Sequence, residues 1–406
     1  MRRFFESLES RRLLTTFWVS TAGNDSGAGT RAVPFKTLQH AADAVRAGDT
    51  VDVTAGNYSG FSEFGLKGTA AAHIRFQAIG AVNIINRAAA ETQVDCGIEL
   101  SGFDASSGCS YIDIDGFNVN DAGGTIRNGI ASGFRIRFSD HVTVTNCKAS
   151  NNGWVGFYGA YLNNCVFDGC ESFNNNLGTV TPGEHGFYVA QNSHNVTISN
   201  CSIHDNFGNG LHLNSDGFIA TGFVVTGNQI FRNGKNGGSG LNCDGIQNST
   251  FTGNTIVGNY NKAASFYQID GAGPSRGNLI AENIMVQGTG NSSLQLHTGP
   301  NTVGENVTIN DGTGLAIEND GGTQTWIGPL IYRGGLSGVP AGVAKVFSPL
   351  GDANFDGRVT GDDYGVVDAN LGGSLVADLN HDGIVSGDDF GTIDSHLVGR
   401  VLFLIQ

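Results

Sequence analysis

Six short segments of the chain alternate apolar and polar residues and then end on a small turn residue: Val142–Cys147, Cys165–Cys170, Val196–Cys201, Phe223–Asn228, Ser249–Asn254 and Asn278–Asn283. Alternation of period two is the pattern of a strand with one buried face. The last residues of the six lie 23, 31, 27, 26 and 29 positions apart, and a recurring period of that size is the mark of a solenoid. No helical pattern separates the copies, which selects a parallel β-helix over leucine-rich or ankyrin repeats. Weaker copies at Ile112–Gly116 and Val307–Asn310 extend the stack to about residues 70–330. Stacking turns each repeat position into a column, so Cys147, Cys170, Cys201, Asn228, Asn254 and Asn283 are expected one above another. Asn there passes amide hydrogen bonds along the column and Cys fills the place of a small apolar group, which makes these cysteines structural.

The pattern changes before and after this body. Leu38, Ala41, Ala42 and Val45 share one helical face, and Gly48 is expected to stop that helix before a strand at Thr50–Val53. This opening block resembles that of secreted right-handed parallel β-helix proteins of the pectate-lyase-like superfamily, where such a helix plugs the end of the solenoid. The resemblance implies an all-β solenoid, a right-handed single-stranded parallel β-helix over residues 16–347. Residues 334–350 read as the exit and a short linker.

Asp352, Asn354, Asp356, Thr360 and Asp363 stand at positions 1, 3, 5, 9 and 12 of a loop. Gly357 sits at position 6 and the Arg358 carbonyl at position 7. Asp378, Asn380, Asp382, Ile384 (by its carbonyl), Ser386 and Asp389 repeat the set, with Gly383 at the turn. Oxygen ligands at these spacings wrap a Ca²⁺ ion, so two Ca²⁺ sites are expected, each followed by a short helix, Tyr364–Leu371 and Phe390–Leu397. The pair resembles a type I dockerin, a small α-helical calcium-binding domain, placed at 348–401. That resemblance implies a cohesin-like or cell-surface protein partner. Gly361-Asp362 and Gly387-Asp388 depart from the residue pairs by which cellulosomal dockerins choose a cohesin. Chelation is expected to unfold residues 351–399 and leave the solenoid intact. Residues 1–15 do not form an ordinary signal peptide, but Phe5-Glu6-Ser7-Leu8-Glu9-Ser10-Arg11-Arg12-Leu13-Leu14 resembles an N-terminal sorting motif of large bacterial surface proteins. It implies export to the cell surface or beyond.

Composition agrees with this division. Gly (62) and Asn (39, of which 36 lie between Asn24 and Asn319) supply turns, while charged residues make up only 15%. That poverty in helix formers excludes an α-helical protein. The net charge of −15 argues against nucleic acid as a partner, and no apolar run is long enough to span a membrane. From Asp352 onward there are ten Asp and two Arg, a charge of −8. Seven Cys leave at least one thiol unpaired in an exported chain. A monomer is expected.

Candidate chemistry comes from aligning the strands that precede the long turns. One outward column reads Arg135, Tyr158, Tyr188, His212 and Asn242, continuing to Gln295. A second, two residues on, reads Arg137, Ala160, Ala190, Asn214 and Asp244, then His297. Aromatic rings pack on sugar faces while Arg and Asn bind carboxylates and hydroxyls, so a polysaccharide is the expected ligand. Uronide β-elimination needs the carboxylate neutralised (Arg135 or Arg137), a base (His185 or His212) and an acid (Tyr188). Arg137, Tyr158, Glu184, Asn214, Asn242 and Asp244 would bind substrate, with Glu184 and His185 on the rim. Glycoside hydrolysis is the second chemistry, with Glu184, Asp205 and Asp244 as available carboxyls. The alternative is a non-catalytic surface, glycan-binding or adhesive rod. His40, His141 and His194 read as turn or cap residues.

Overall fold

The computed structural model describes residues 14–88, 96–120, 131–176, 185–373 and 375–397. The sorting segment lies outside these residues except for Leu14 and Thr15, and so does Glu184. Strands run from Thr16 to Phe347, each pairing in parallel with its equivalent in the next coil. A coil contributes three of them, and three files of strands result. One file is an eleven-stranded sheet from Phe61–Phe64 to Gly335–Ser337, hereafter the site sheet. The others include Asp140–Thr145, Val166–Asp168 and Thr197–Ser199, and then Lys148–Ser150, Glu171–Phe173 and Ser202–His204.

The corner between the last two files explains the Asn/Cys columns. One residue per coil takes the left-handed backbone conformation there, as Asn146, Asn200 and Glu282 do at φ 52, 53 and 59°. Gly227 and Gly253 take the same place at φ 67 and 64°, where glycine meets no steric cost. The next residue points inward. Cys147, Cys170 and Cys201 fill this column, and Asn228, Asn254, Asn283 and Asn306 continue it, each amide donating to the next at 2.9–3.0 Å. A second ladder, Asn152, Asn175, Asn206, Asn233 and Asn259, runs inside the next corner. All seven cysteines are buried. The core between the files is apolar, and Phe134, Phe157 and Phe187 stack through it with centroids 4.7 and 4.3 Å apart.

At the first end, helix α1 (Leu38–Ala44) buries Leu38, Ala41 and Ala42 in that core. It ends before the expected stop, because Val45 adopts extended backbone (ψ 155°) while remaining buried; Gly48 forms the following turn. The exit also differs from expectation. Gly335–Ser337 joins the site sheet and Lys345–Phe347 pairs with Leu330–Arg333, so only the residues after Phe347 connect to the C-terminal module.

That module holds α2 (Asp362–Asn370) and α3 (Gly387–His396), which start two or three residues before the expected positions. Asp389 closes a capping box with Ser386, drawing the α3 start back into the loop. The module lies against the flank of the solenoid. Leu375 and Phe355 pack with Val257, Val286, Val307 and Ile309, and Arg232 donates to the Gly383 carbonyl at 3.1 Å. Arg333, paired with Asp311, holds the connection by donating to the carbonyls of Ser348 and Pro349.

Candidate functional site

Register in the site sheet stacks the expected first column. Arg135, Tyr158, Tyr188, His212 and Asn242 are successive partners, followed by Ser265 and Gln295. The coil Ala264–Tyr267 was not anticipated between Asn242 and Gln295, because it lacks the glycine that opens the coils before it. Its Tyr267 belongs beside Asp244 in the second column and lines the groove. Trp154, also unanticipated, packs 5.3 Å from Tyr158. Centroids of Tyr158 and Tyr188 are 5.7 Å apart, and Tyr188 stacks on His212 at 5.1 Å and 17°. An aromatic run from Trp154 to His212 therefore leads into a depression of about 440 Å³, lined by His185, Tyr188, His212, Asn214 and Asn242. Asn242 also lines the adjoining depression of about 380 Å³, with Lys262, Tyr267 and Gln295.

Several expected roles change. Arg135 is paired with the fully buried carboxylate of Glu99, which also accepts from Ser62 Oγ at 3.0 Å. Its charge is thus spent inside the protein, and it does not face a ligand as a free cation. The guanidinium of Arg137 makes no ion pair or hydrogen bond among the described residues and lies over Phe138. His185 is not on a rim. It is 5% exposed, and its Nδ1 accepts from the Asn209 backbone N–H at 3.1 Å. Its Nε2 meets His212 Nδ1 at 3.0 Å. With both nitrogens engaged, His185 cannot act as the base. Burial holds its pKa well below the ordinary value and brings His212 down to about 4.

The second column is mostly inside. Ala160, Ala190, Asn214 and Asp244 are all buried. Asp244 accepts from the backbone N–H groups of Ile269 and Asp270 at 2.8 and 3.0 Å, so it shapes a loop and does not bind substrate. Asn214 accepts from the Asp216 N–H at 2.9 Å while still lining the depression. Asp205, a candidate carboxyl for hydrolysis, lies away from the site sheet, ion-paired to Arg232 and His204. Burial raises the Tyr188 phenol to about 12 and raises the Tyr267 phenol as well, so neither ionises at neutral pH. One further group was not anticipated: His297, Glu318 and Asp320 bring one ligand atom each within 4.8 Å of one another.

The two C-terminal loops are folded alike. Asp352 accepts from the N–H groups of Asp356 and Gly357, and Asp378 from those of Asp382 and Gly383. Asp363 and Asp389 each reach back to the start of their loops. Gly357 and Gly383 turn at φ 90 and 86°. Asp352, Asp363, Asp378 and Asp389 are buried at 4% exposure or less and pair with no basic side chain among the described residues. Burial raises Asp378 to about 6, and the neighbouring Asp389 and Asp382 add to the rise. Hard oxygen donors in this state fit a divalent cation.

The fold and groove define a parallel β-helix with an aromatic face on one sheet. A family model for a Pel9A-like, right-handed β-helix region matches residues 17–180. No curated protein matches the chain. Among solved structures, the A-module of mannuronan C-5 epimerase AlgE6 from Azotobacter vinelandii is similar at 14% identity and a TM-score of 0.55, covering 76% of this chain and 93% of that one. Pectate lyase Pel9A is similar at 17% identity and a TM-score of 0.49, with coverage of 84% and 80%. At 14% identity the likeness to the epimerase module speaks for the shared solenoid alone. No helix among the described residues is long and apolar enough to cross a membrane.

Proposed function

We propose that the chain is a carbohydrate-active β-helix protein that binds an acidic polysaccharide along the site sheet and cleaves it by elimination. The observation that carries this is the in-register aromatic run Tyr158, Tyr188 and His212 opening into two depressions joined at Asn242. Sugar rings pack on such faces. Arg137, the uncommitted guanidinium, takes a uronate carboxylate; the two coils (about 10 Å) between its backbone and that of Tyr188 are covered by the two side chains and the sugar between them. Tyr188, held protonated at neutral pH, is the acid: it gives its proton to the leaving oxygen as the C4–O bond breaks, while the C5 proton passes to solvent and solvent returns a proton to the phenolate. The products are an unsaturated sugar end and a free hydroxyl.

The names of similar solved structures support the substrate class, since they act on mannuronan and pectate. The C-terminal loops are proposed as two Ca²⁺ sites of a dockerin-like module that attaches an exported enzyme to a cohesin-like or other surface protein. Asp352, Asn354, Asp356, Arg358 O, Thr360 and Asp363 would hold one ion, and Asp378, Asn380, Asp382, Ile384 O, Ser386 and Asp389 the other. Incubation with a panel of polyuronates, read by ultraviolet absorbance of unsaturated ends, tests the reading. Absorbance should rise on at least one of them, and silence on all with Ca²⁺ present would refute elimination. The enclosure of both histidines and the pairing of Arg135 favour a second reading, a glycan-binding rod without catalysis. In that case Tyr188→Phe and His212→Ala change binding modestly and nothing else.

A further inference from the structure

The hydrogen bonds around Asn209 fix a polarity in the groove that side-chain identity alone does not reveal. A backbone N–H can only donate, so the Asn209 N–H bond makes His185 Nδ1 an acceptor. The proton of neutral His185 must then sit on Nε2 and be donated to His212 Nδ1, 3.0 Å away. His212 Nδ1 is therefore also an acceptor, and the His212 proton sits on Nε2. That Nε2 is buried and has no hydrogen-bond partner. A proton added to His212 Nδ1 would face the N–H of His185, and one added to His185 Nδ1 would face the N–H of Asn209. Both rings are held neutral by geometry. The ionisable groups around them, Tyr188 and Asp270 at the depression, make no hydrogen bond to either ring.

Asn209 sets a second polarity. Its Oδ1 accepts from the Ser239 backbone N–H at 2.6 Å, which identifies that atom as the oxygen. The Asn242 atom 3.2 Å from it must be Nδ2, leaving Asn242 Oδ1 buried and without a partner. His212 and Asn242 are register partners on adjacent coils. A donor and an acceptor, both dry and both unsatisfied, thus stand side by side at the junction of the two depressions.

We infer that His212 Nε2–H and Asn242 Oδ1 form a subsite for a sugar hydroxyl, the one group that accepts from the first and donates to the second. A carboxylate would satisfy His212 but meet the lone pairs of Asn242. Resting on the glycan-groove reading, this places the uronate carboxylate elsewhere on the sugar and removes His212 from the role of base. His185 is a positioning residue that transmits the polarity of the Asn209 N–H.

The test is the imidazole ¹H–¹⁵N spectrum of the full chain labelled at histidine. His212 should be neutral and protonated at Nε2 down to about pH 5.5, well below where a free imidazole titrates. His185→Gln keeps an acceptor for Asn209 and a donor for His212, and should preserve this state. His185→Leu should let His212 protonate at higher pH and mix tautomers. A wild-type His212 carrying its proton on Nδ1, or charged at neutral pH, would overturn the inference, as would a His185→Leu spectrum identical to wild type. For the ligand, methyl β-glucoside should shift the His212 N–H saturably and acetate should not; the reverse, or no shift with either, overturns the hydroxyl assignment. The tautomer result stands apart from turnover: locked polarity with no polyuronate cleaved would sink the elimination reading alone.

Discussion

Replacing Glu99 by Gln isolates the ion pair that took Arg135 out of the groove. Glu99 is fully buried and Arg135 has 12% of its side chain exposed, so neither charge is well solvated. The substitution keeps shape and a hydrogen-bond acceptor but leaves the guanidinium charged beside a neutral amide. Breaking one partner of a buried pair costs about 3–5 kcal/mol. Retention of the carbonyl acceptor and the partial exposure of Arg135 favour the low end, about 3 kcal/mol. The double variant Glu99→Leu/Arg135→Met removes both charges and should lie within about 1 kcal/mol of wild type. Urea unfolding followed by circular dichroism, with midpoints compared at constant slope, measures all of these. A loss below about 0.5 kcal/mol for Glu99→Gln would show that the pair carries no weight, since surface pairs cost that little. A double variant as unstable as the single would refute the pairing as the cause.

Three other outcomes follow from the same geometry. Asn254→Ala removes the amide that accepts from Asn228 and donates to Asn283 and to the Val225 carbonyl, and should cost about 3–5 kcal/mol through unsatisfied buried groups; Asn254→Cys, the residue the same column uses at Cys201, should cost less, as urea midpoints will show. His212 has its folded pKa depressed, so between its ordinary value and about 4 the unfolded chain binds a proton that the folded chain refuses; stability should fall as pH drops through that window, by about 3 kcal/mol more in wild type than in His212→Gln. Chelation should release the C-terminal module and also lower the melting temperature of the solenoid, because Leu375 and Phe355 share an apolar cluster with Val286 and Ile309; a solenoid melt indifferent to Ca²⁺ would count against docking.

How far the sequence carried the account depends on which forces are periodic. The Asn and Cys columns, the outward run from Arg135 to Asn242 and the repeated loops at Asp352 and Asp378 were all legible, because a fixed spacing dictates each. Non-periodic contacts were not. Nothing near Arg135 in the chain announces Glu99, which lies on the preceding coil in register with it. His185 looked like an insertion residue on a rim, yet the Asn209 N–H draws it inside. Tyr267 was passed over because its coil opens with alanine in place of glycine, and Asp244 read as outward although three backbone N–H groups hold it in a loop. The C-terminal module read as independent of the solenoid, since the residues that dock it, Phe355 and Leu375, look like ordinary parts of their own domain.

The central claim, that an acidic glycan lies along the site sheet, is tested most directly by a crystal structure of the Tyr188→Phe variant with a polyuronate oligosaccharide. The account predicts a sugar ring against residues 158 and 212, a hydroxyl between His212 and Asn242, and a carboxylate at Arg137. A glycan seated on another face, or its carboxylate at the His212–Asn242 pair, would contradict it.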